Sequence, residues 1–338
     1  MTGRTGSGSG ARVQPPRRAT TRRGAPHGTS HGTPRGTTAA TGRAPASRAH
    51  GAAATAATLP CVAVYATRER VRVLARGAFP RRRARVVIAR TAAEFARLFH
   101  AGLIDAALID LGTPTDDAWA AAACARDFPS APFFAVTPLR SADGSTLARC
   151  AALDFADVLI ESVDDSAVRD LVLPLTFHAR FVAALADPPA GLALASPLQR
   201  KTWHCVVSHA GLPVRTTAVA KVVGVTREHL SRAFAAARAP NLKRVIDLVR
   251  LVAAAELAKN PGYDMRDVAS ILGFASPSHL SSTTQRVLGL RPASLARLRA
   301  VDLIDRFVGS RGRSRTGGVT RSRTASRSAS RATRTTPQ

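Results

Sequence analysis

The chain has 338 residues, enough for two ordinary domains with tails, and a strongly basic formal net charge of +27. Such a charge favours a polyanionic partner, nucleic acid first, although a GC-rich genome also enriches arginine and charge alone does not establish binding. Four scattered cysteines without CxxC spacing argue against a disulfide framework, and the lack of a long uncharged apolar stretch argues against a membrane span.

The first segment, residues 1–58, is an arginine-rich tail with almost no large apolar side chains. It contains nine arginines and no acidic residue. Because such a segment cannot bury enough surface to offset the entropy of ordering, we expect it to be disordered.

Residues 59–186 carry short apolar stretches that alternate with amphipathic ones. The apolar stretches, predicted as strands, occupy residues 61–66, 84–89, 105–111, 131–137 and 157–161. Strand–helix alternation of this kind predicts an α/β domain, a parallel sheet with helices on both faces. A Pro- and Gly-rich linker is predicted to follow at 187–196.

The order of these elements and the stretch DAALIDLGTP resemble the receiver domains of two-component response regulators, which have a flavodoxin-like fold. Asp110 stands at the end of the third predicted strand, Pro114 follows four residues later, and Thr137 ends the fourth strand. The resemblance implies that Asp110 corresponds to the aspartate that accepts a phosphoryl group in that family.

Two parts of the receiver pattern are absent. The family holds Mg²⁺ with an acidic pair after the first strand, where this chain has Tyr65-Ala66-Thr67. The lysine that ends the fifth strand corresponds to Glu161, which inverts the charge at that place. We therefore expect a degenerate receiver-like module with Asp110 as a vestigial phosphoacceptor, no metal and no other cofactor. A competent phosphoacceptor and another α/β sensor fold are the alternatives.

After the linker, residues 197–308 show only helical patterns, and one short sequence occurs twice. AKVVGVTREHL at 220–230 returns as ASILGFASPSHL at 269–280. In each copy an alanine (Ala220, Ala269) suits the crossing of two helices, and a glycine (Gly224, Gly273) tolerates the positive φ of a tight turn. The repeat predicts an all-α domain with two helix-turn-helix units. A helical bundle with an accidental repeat is the alternative.

The second helix of each unit has a predicted start and a predicted exposed face. Thr226 and Ser276 stand where N-caps belong, and Pro277 suits a first helical position. The residues predicted to contact DNA are Thr226, Arg227, Glu228, His229, Ser231 and Arg232 in the first unit, and Ser276, Ser278, His279, Ser281, Ser282, Gln285 and Arg286 in the second.

The stretch between the two copies, residues 241–262, is predicted to form one helix that stops at Asn260-Pro261-Gly262. Roughly 17 helical residues span about 25 Å. Because successive major-groove faces recur about 34 Å apart, a stiff helix of this size would allow both second helices to enter adjacent grooves of one duplex.

These residues resemble the AraC/XylS-type DNA-binding domain over about 195–298. Its markers occur in order as LSRAF (230–234), RLVAA (250–254), VASILGF (268–274) and GLRPASL (289–295). The resemblance implies a transcription regulator whose second helices enter the major groove of double-stranded DNA. RNA polymerase, and a second copy paired through the N-terminal domain, are further candidate partners. The receiver-like module would then act by docking, by dimerisation or by binding an unknown signal.

The second unit departs from the AraC/XylS pattern. LSSTTQ (280–285) stands where FSRxFK is common, so Thr284 replaces a core phenylalanine, and Ser282 and Gln285 replace basic residues. A buried hydroxyl weakens packing, and fewer cations weaken the hold on phosphates. We therefore expect the first unit to carry most of the base readout.

Residues 309–338 form a second tail, rich in serine and arginine, that is also predicted to be disordered. The tails support an alternative function, non-specific binding of DNA or RNA through phosphates. An enzyme is not expected, because the sequence has no nucleotide-binding GxxxxGK loop, no nucleophile elbow and no cluster of metal ligands. The predicted location is the cytoplasm, on the nucleoid when DNA is bound, with no association with membrane.

Overall fold

The computed structural model describes residues 58–235 and 239–316, with side-chain positions up to residue 310. The predicted disordered tails fall mainly outside these ranges: residues 1–57 of the first tail and 317–338 of the second lie outside the described residues.

A parallel β-sheet forms the centre of the N-terminal part. Its strands are β1 (Cys61–Tyr65), β2 (Arg85–Ala89), β3 (Ala106–Asp110), β4 (Phe133–Thr137) and β5 (Asp157–Ile160). They lie in the order β2-β1-β3-β4-β5, which is the flavodoxin-like order of doubly wound sheets. The predicted flavodoxin-like α/β fold is therefore confirmed.

Helices cover both faces of this sheet. They are α1 (Glu69–Ala78), α2 (Ala92–Ala101), α3 (Asp116–Asp127), α4 (Gly144–Ala152) and α5 (Asp165–Val172). Alternate residues of β1 enter opposite cores, because successive side chains of a strand point to opposite faces. Cys61, Ala63 and Tyr65 lie in the core with α2 and α3, whereas Val62 and Val64 lie in the core with α1 and α5.

The C-terminal part has helices and no strands among its described residues. Its helices are α6 (Phe177–Ala184), α7 (Pro197–Val207), α8 (Thr216–Val223), α9 (Arg227–Ala235), α10 (Leu242–Leu257), α11 (Met265–Ile271), α12 (Pro277–Leu288) and α13 (Ala300–Thr316). Helix α10 is buried on nearly all sides: twelve of its 16 residues are buried, among them Leu248 and Ala253, which are fully buried. It is the central helix of this core, and its 16 residues span about 24 Å.

The predicted linker at 187–196 is partly built into the helical core. Leu192 and Leu194 are buried there, together with Phe177 and Phe181 of the preceding helix α6. Apolar side chains at these positions remove the segment from water and fix it against the core. The range predicted for the α/β domain therefore ends with a helix whose apolar side chains belong to the other core.

The last helix continues beyond residue 308, where the second tail was predicted to begin. Leu303, Ile304 and Phe307 anchor the first half of α13 in the helical core. Once a helix is nucleated by such packing, each further residue adds one backbone hydrogen bond, so the helix extends to Thr316.

The α/β domain and the helical region meet in a packed junction at the loop after α10. The Ser130 backbone N–H donates to Asn260 Oδ1 at 2.8 Å, and the Gly262 N–H donates to the Asp127 carbonyl at 2.9 Å. A Cβ atom at Gly262 would overlap the Phe128 ring, so this approach requires glycine. The residues predicted only to stop a helix therefore also hold the two parts together.

Asp105, which precedes β3, ties strands and helices together at the amino ends of the strands. Its carboxylate accepts hydrogen bonds from the Cys61 N–H at 2.7 Å and from the His178 N–H at 2.9 Å. Burial raises the pKa of this carboxyl from its ordinary 3.8 to about 6, although both hydrogen bonds favour the ionised form.

The raised pKa of Asp105 predicts a pH dependence of stability. The folded chain holds this proton more tightly than the unfolded chain, so the contribution is fully present below about pH 4 and is lost as pH rises through about 6. Its size is roughly 3 kcal/mol. Urea unfolding between pH 4 and 7 should show that Asp105→Asn lacks this decline, whatever its absolute stability. Parallel profiles for the two proteins would contradict the assignment.

Candidate nucleic-acid interface

The first helix-turn-helix unit consists of α8, a tight turn and α9. Helix α8 ends at Gly224, whose φ of +82° lies in the left-handed region that favours glycine. The chain then turns into α9, where Thr226 Oγ1 accepts the His229 N–H at 3.1 Å. The predicted turn glycine and the predicted N-cap are both present in the structure.

Helix α9 presents one polar face to solvent and one apolar face to the core. Leu230 and Phe234 are buried. All six residues predicted to contact DNA in this unit are exposed: Thr226, Arg227, Glu228, His229, Ser231 and Arg232. Their exposure makes them available to a partner, while their contact with DNA stays a prediction.

The second unit repeats this construction with α11, a turn and α12. Gly273 has a φ of +61°, and Ser276 Oγ accepts the His279 N–H at 3.0 Å at the start of α12. Of the residues predicted to contact DNA here, five are exposed and two, Ser276 and Ser281, are half-buried; the exposed ones are Ser278, His279, Ser282, Gln285 and Arg286.

Among these side chains, Arg286 and Ser282 have polar partners on the protein itself. Arg286 Nη2 lies 2.9 Å from the carboxylate of Asp247, a buried residue of α10. Ser282 Oγ donates to the His279 carbonyl at 3.1 Å. The ion pair fixes α12 against the central helix and engages the only arginine of α12, a helix with no lysine.

The threonine that stands in place of a core phenylalanine is satisfied. Thr284 is fully buried, and its hydroxyl donates to the Leu280 carbonyl at 2.8 Å. The predicted cost of an unpaired buried hydroxyl is therefore avoided, because hydrogen-bonded polar groups are tolerated in cores. Thr284 is still smaller than the phenylalanine it replaces, so it buries less apolar surface in this unit.

A pair of cations, missed by the sequence reasoning, caps the first helix of each unit. Lys201 Nζ on α7 donates to the Val223 carbonyl at 3.2 Å, and Arg250 Nη2 on α10 donates to the Leu272 carbonyl at 2.9 Å. A cation at the carboxyl end of a helix binds its unpaired carbonyls and complements its dipole. Lys201 and Arg250 are 49 positions apart, as are Val223 and Leu272. Comparison of the two copies at this spacing is the sequence signal that could have found the caps.

Arg250 is the more deeply placed of the two caps. Its guanidinium carbon lies 3.9 Å from the centroid of the Phe274 ring, and burial lowers the pKa of Arg250. The side chain thus connects the central helix to the turn of the second unit through a hydrogen bond and a cation–π contact.

A basic groove of about 330 Å³ lies beside α9. It is lined by Arg227 and Ser231 of α9, Lys243 near the start of α10, and Thr216, Asn241 and Leu242. Arg227 and Lys243 are both exposed. Two cations beside the amino end of a helix give this groove a positive potential suited to a phosphate of a nucleic-acid backbone.

The site around Asp110, the predicted vestigial phosphoacceptor, holds an internal cation. Asp110 is buried, and its carboxylate accepts from Arg68 Nε at 2.8 Å and from the Arg68 backbone N–H at 3.1 Å. The same guanidinium forms an ion pair with the buried Glu161. A Cβ atom at Gly112 would overlap this guanidinium. Arg68 therefore lies between the two carboxylates and pairs with both, which leaves the three groups together with one net negative charge.

The charge of Arg68 is firmly held. Although burial disfavours the charged form, hydrogen bonds and ion pairs with Asp110 and Glu161 raise the pKa of Arg68 above its usual value. Thr137 is buried at the end of β4, the strand next to β3. Its hydroxyl donates a hydrogen bond to the Asp143 carboxylate at 2.9 Å. Among the residues that the structure describes, no three of His, Cys, Asp and Glu lie close enough together to hold a metal ion.

Together, two helix-turn-helix units around a central helix define the class of the C-terminal part: it is a helix-turn-helix domain. Residues 219–297 match the helix-turn-helix domain family. An 85-residue segment is 32% identical to the HTH-type transcriptional regulator GlxA of Rhizobium meliloti (strain 1021), covering 25% of this chain and 26% of the relative. The chain thus spans about a quarter of the length of that curated relative.

By these matches the C-terminal part is similar to helix-turn-helix domains of the AraC type. No helix in the described ranges is both long and apolar enough to traverse a bilayer.

Solved structures of response regulators are similar to the chain at low identity. A response regulator from Thermotoga maritima has a TM-score of 0.31 and 13% identity, with 35% of this chain and 98% of that chain covered. A response regulator protein from Burkholderia pseudomallei, solved with a phosphorylated aspartic acid, has a TM-score of 0.29 and 18% identity. The match covers 52% of this chain and 98% of that chain. Full-length FixJ from B. japonicum has a TM-score of 0.31 and 14% identity. The match covers 69% of this chain and 100% of that chain.

Proposed function

We propose that this protein is a sequence-specific DNA-binding transcription regulator of the AraC type, whose α9 and α12 enter adjacent major grooves. The observation that carries the proposal is the paired construction. Two helices with exposed polar faces each follow a glycine turn. The second unit packs on the central helix α10, and the first unit packs on α7, which itself contacts α10. A helix-turn-helix reads base edges with its second helix, so the two faces supply two reading surfaces on one chain.

The first unit is expected to contribute more to base recognition. Arg227 and Arg232 of α9 are exposed and have no acidic partner among the described residues, whereas Arg286 of α12 is paired with Asp247. Arginine is the side chain best suited to bidentate contacts with guanine and to phosphate. The second unit offers Ser278, Ser282 and Gln285, which make weaker, mostly neutral contacts.

The α/β domain is proposed to act as a regulatory or docking module for the second unit. Beyond the hydrogen bonds at Asn260 and Gly262, His100 Nδ1 on α2 lies 3.2 Å from Asp267 on α11. A change in the α/β domain would thus reach α11 directly. Pairing of two copies through this domain, contact with RNA polymerase and a cytoplasmic location stay predictions.

Regulation of this module is proposed not to involve phosphorylation of Asp110. The carboxylate is buried and bound by Arg68, and the position that should help hold Mg²⁺ carries Tyr65, whose hydroxyl donates to Asp117 at 2.9 Å. Phosphoryl transfer to a carboxylate requires a cation that also binds the incoming phosphate, and the guanidinium of Arg68 is already occupied by two carboxylates.

The competing function is non-specific binding through the arginine-rich tails, and salt distinguishes the two. Duplexes should be selected from a random library with the full chain, and binding then measured at roughly 50–200 mM salt against excess competitor DNA. A specific regulator is expected to prefer its selected site by about 10³-fold or more at physiological salt. It should keep this preference when residues 1–57 and 317–338 are removed.

Tail-driven binding gives the opposite result. Selection would then return no common sequence, and removal of both tails would abolish binding and most of its salt dependence. That outcome would reject the proposed function.

A further inference from the structure

A cavity of about 390 Å³ lies at the junction of the α/β domain and the helical region, and the proposed DNA contacts do not use it. Pro129 and Ser130 line it from the α/β side, helix α6 lines a second side, and Val252 of the central helix α10 lines a third. Its volume falls within the range of about 300–1,000 Å³ that is usual for small-molecule sites, near the lower end.

The walls of this junction cavity are mainly apolar. Phe177 and Phe181 on α6 have stacked rings with centroids 5.8 Å apart, and Leu185 and Val252 continue the same surface. All four side chains contribute to the helical core, so the wall is a fixed part of the fold. Such a wall suits an aromatic ring or a branched aliphatic group.

The rim of the cavity carries an excess positive charge. Lys259 Nζ is paired with Glu256 Oε1 at 2.7 Å, so these two charges offset each other. Arg180 donates from Nη2 to the Ser130 carbonyl and has no carboxylate partner among the described residues. One exposed guanidinium with unused donors therefore stands at the mouth of an apolar pocket.

We propose that this cavity binds a small apolar monocarboxylate, with its aromatic or branched aliphatic group against Phe177 and Phe181 and its carboxylate on Arg180. A guanidinium binds a carboxylate through two parallel hydrogen bonds. Burial of the ligand's apolar group against the apolar walls makes a further favourable contribution to binding. The site is distinct from the vestigial phosphoacceptor, since Asp110 lies at the opposite ends of the strands from Asp105 and α6.

The position of the cavity connects a ligand to both parts of the molecule. Arg180 and Asn260, both lining residues, each bond to Ser130 of the α/β domain. The ligand would also contact α10, which carries the Arg250 and Asp247 contacts to the second unit. An effect of the ligand on DNA affinity rests on the proposed function, whereas its binding does not.

The test is isothermal titration calorimetry of the full chain, without DNA, against 3-phenylpropionate, 4-phenylbutyrate and isovalerate. At least one carboxylate is expected to bind with a Kd of roughly 1 mM or tighter. The neutral analogue 4-phenylbutyramide should bind about tenfold more weakly than 4-phenylbutyrate, because it loses the charge-assisted contact. Absence of binding by all three carboxylates, or equal binding of the amide, would overturn the proposal.

Two pairs of variants locate the site. Ala184→Trp, at an exposed lining residue, should abolish binding by filling the mouth, whereas Ala183→Trp, exposed on the same helix outside the cavity, should not. Arg180→Gln should weaken carboxylate binding about tenfold and leave the amide unchanged. Arg126→Gln, which removes an exposed arginine elsewhere, is its control. Native-like carboxylate affinity in Ala184→Trp or Arg180→Gln would reject this cavity as the site.

Discussion

Replacing Arg68 by alanine is expected to lower the free energy of unfolding by about 3–5 kcal/mol, the usual cost of removing one partner from a buried ion pair. The reason is that Asp110 and Glu161 are 2% and 8% exposed, and Arg68 is the side chain that pairs with both. Without it, two buried carboxylates would lose the cation that they share. Chemical unfolding in urea, which does not screen charge, measures the loss.

Arg70→Ala is the matched control for this variant. Arg70 also lies near Glu161, with Nε at 3.5 Å, but its side chain is 67% exposed. Exposed ion pairs contribute at most about 1 kcal/mol, so this variant should remain close to the native protein. Equal effects of the Arg68 and Arg70 substitutions would contradict the role given to Arg68.

A compensated variant separates the charge effect from a packing effect. The triple change Arg68→Met, Asp110→Asn and Glu161→Gln removes all three charges and keeps side chains of similar length. It should recover much of the stability lost in Arg68→Ala, because uncharged polar groups cost less to bury than unpaired charges. If the triple variant is as unstable as the single one, the guanidinium acts through packing and the electrostatic explanation fails.

The site around Arg68 shows where sequence reasoning stopped. The absence of an acidic pair at 65–67 and the charge inversion at Glu161 were visible in the sequence, and both predicted a degenerate receiver. Nothing in the stretch TRER marks Arg68 as buried, since arginines near a helix start are usually solvated. Its partners lie 42 and 93 positions away, and only the sheet order brings β1, β3 and β5 together at one edge.

Local signals were more informative in the helix-turn-helix units. Gly224 and Gly273 have the positive φ that the turn requires, and Thr226 and Ser276 cap the helices that follow. Each of these features depends on residues within about four positions, so the sequence alone defines them.

Long-range partners could not be predicted in the same way. The sequence marks Asn260 only as part of a helix stop, but this residue is 2% exposed and binds Ser130, 130 positions earlier. The predicted linker contains Leu192 and Leu194, which are buried in the helical core, because Pro and Gly nearby indicate a loop without indicating whether the loop is covered. In both segments the amino-acid composition indicates the backbone conformation, whereas the burial of the side chains depends on tertiary packing.

The central helix α10 connects the second helix-turn-helix unit to the α/β domain. Arg250 and Asp247 connect α10 to the second unit, and Asn260, just after its end, connects it to the α/β domain. Under the proposed function, a signal that alters the α/β domain would therefore act first on α11 and α12. The first unit, held by α7 through Lys201 and Gln199, lies on a separate set of contacts.

The double variant Arg227→Ala/Arg232→Ala is expected to lose about 100-fold or more in affinity for a duplex selected by the native chain. Both side chains are exposed on α9, and each arginine contact with a base or phosphate contributes about 1–3 kcal/mol. Fluorescence anisotropy at roughly 150 mM salt, with competitor DNA present, measures the change, and repeating the selection with the variant shows whether its preferred sequence alters.

Two comparisons make this result specific to α9. Arg97→Ala/Arg126→Ala removes the same charge from exposed helical positions of the α/β domain, so a loss of non-specific attraction alone would appear equally in both doubles. Ser278→Ala/Gln285→Ala tests α12, and its effect should be about tenfold or less because neutral side chains make weaker contacts. If the α9 double keeps the native sequence preference while the α12 double loses it, the second unit is the principal reader. The ion pair of Arg286 with Asp247 would then have to open on DNA to supply the missing positive charge.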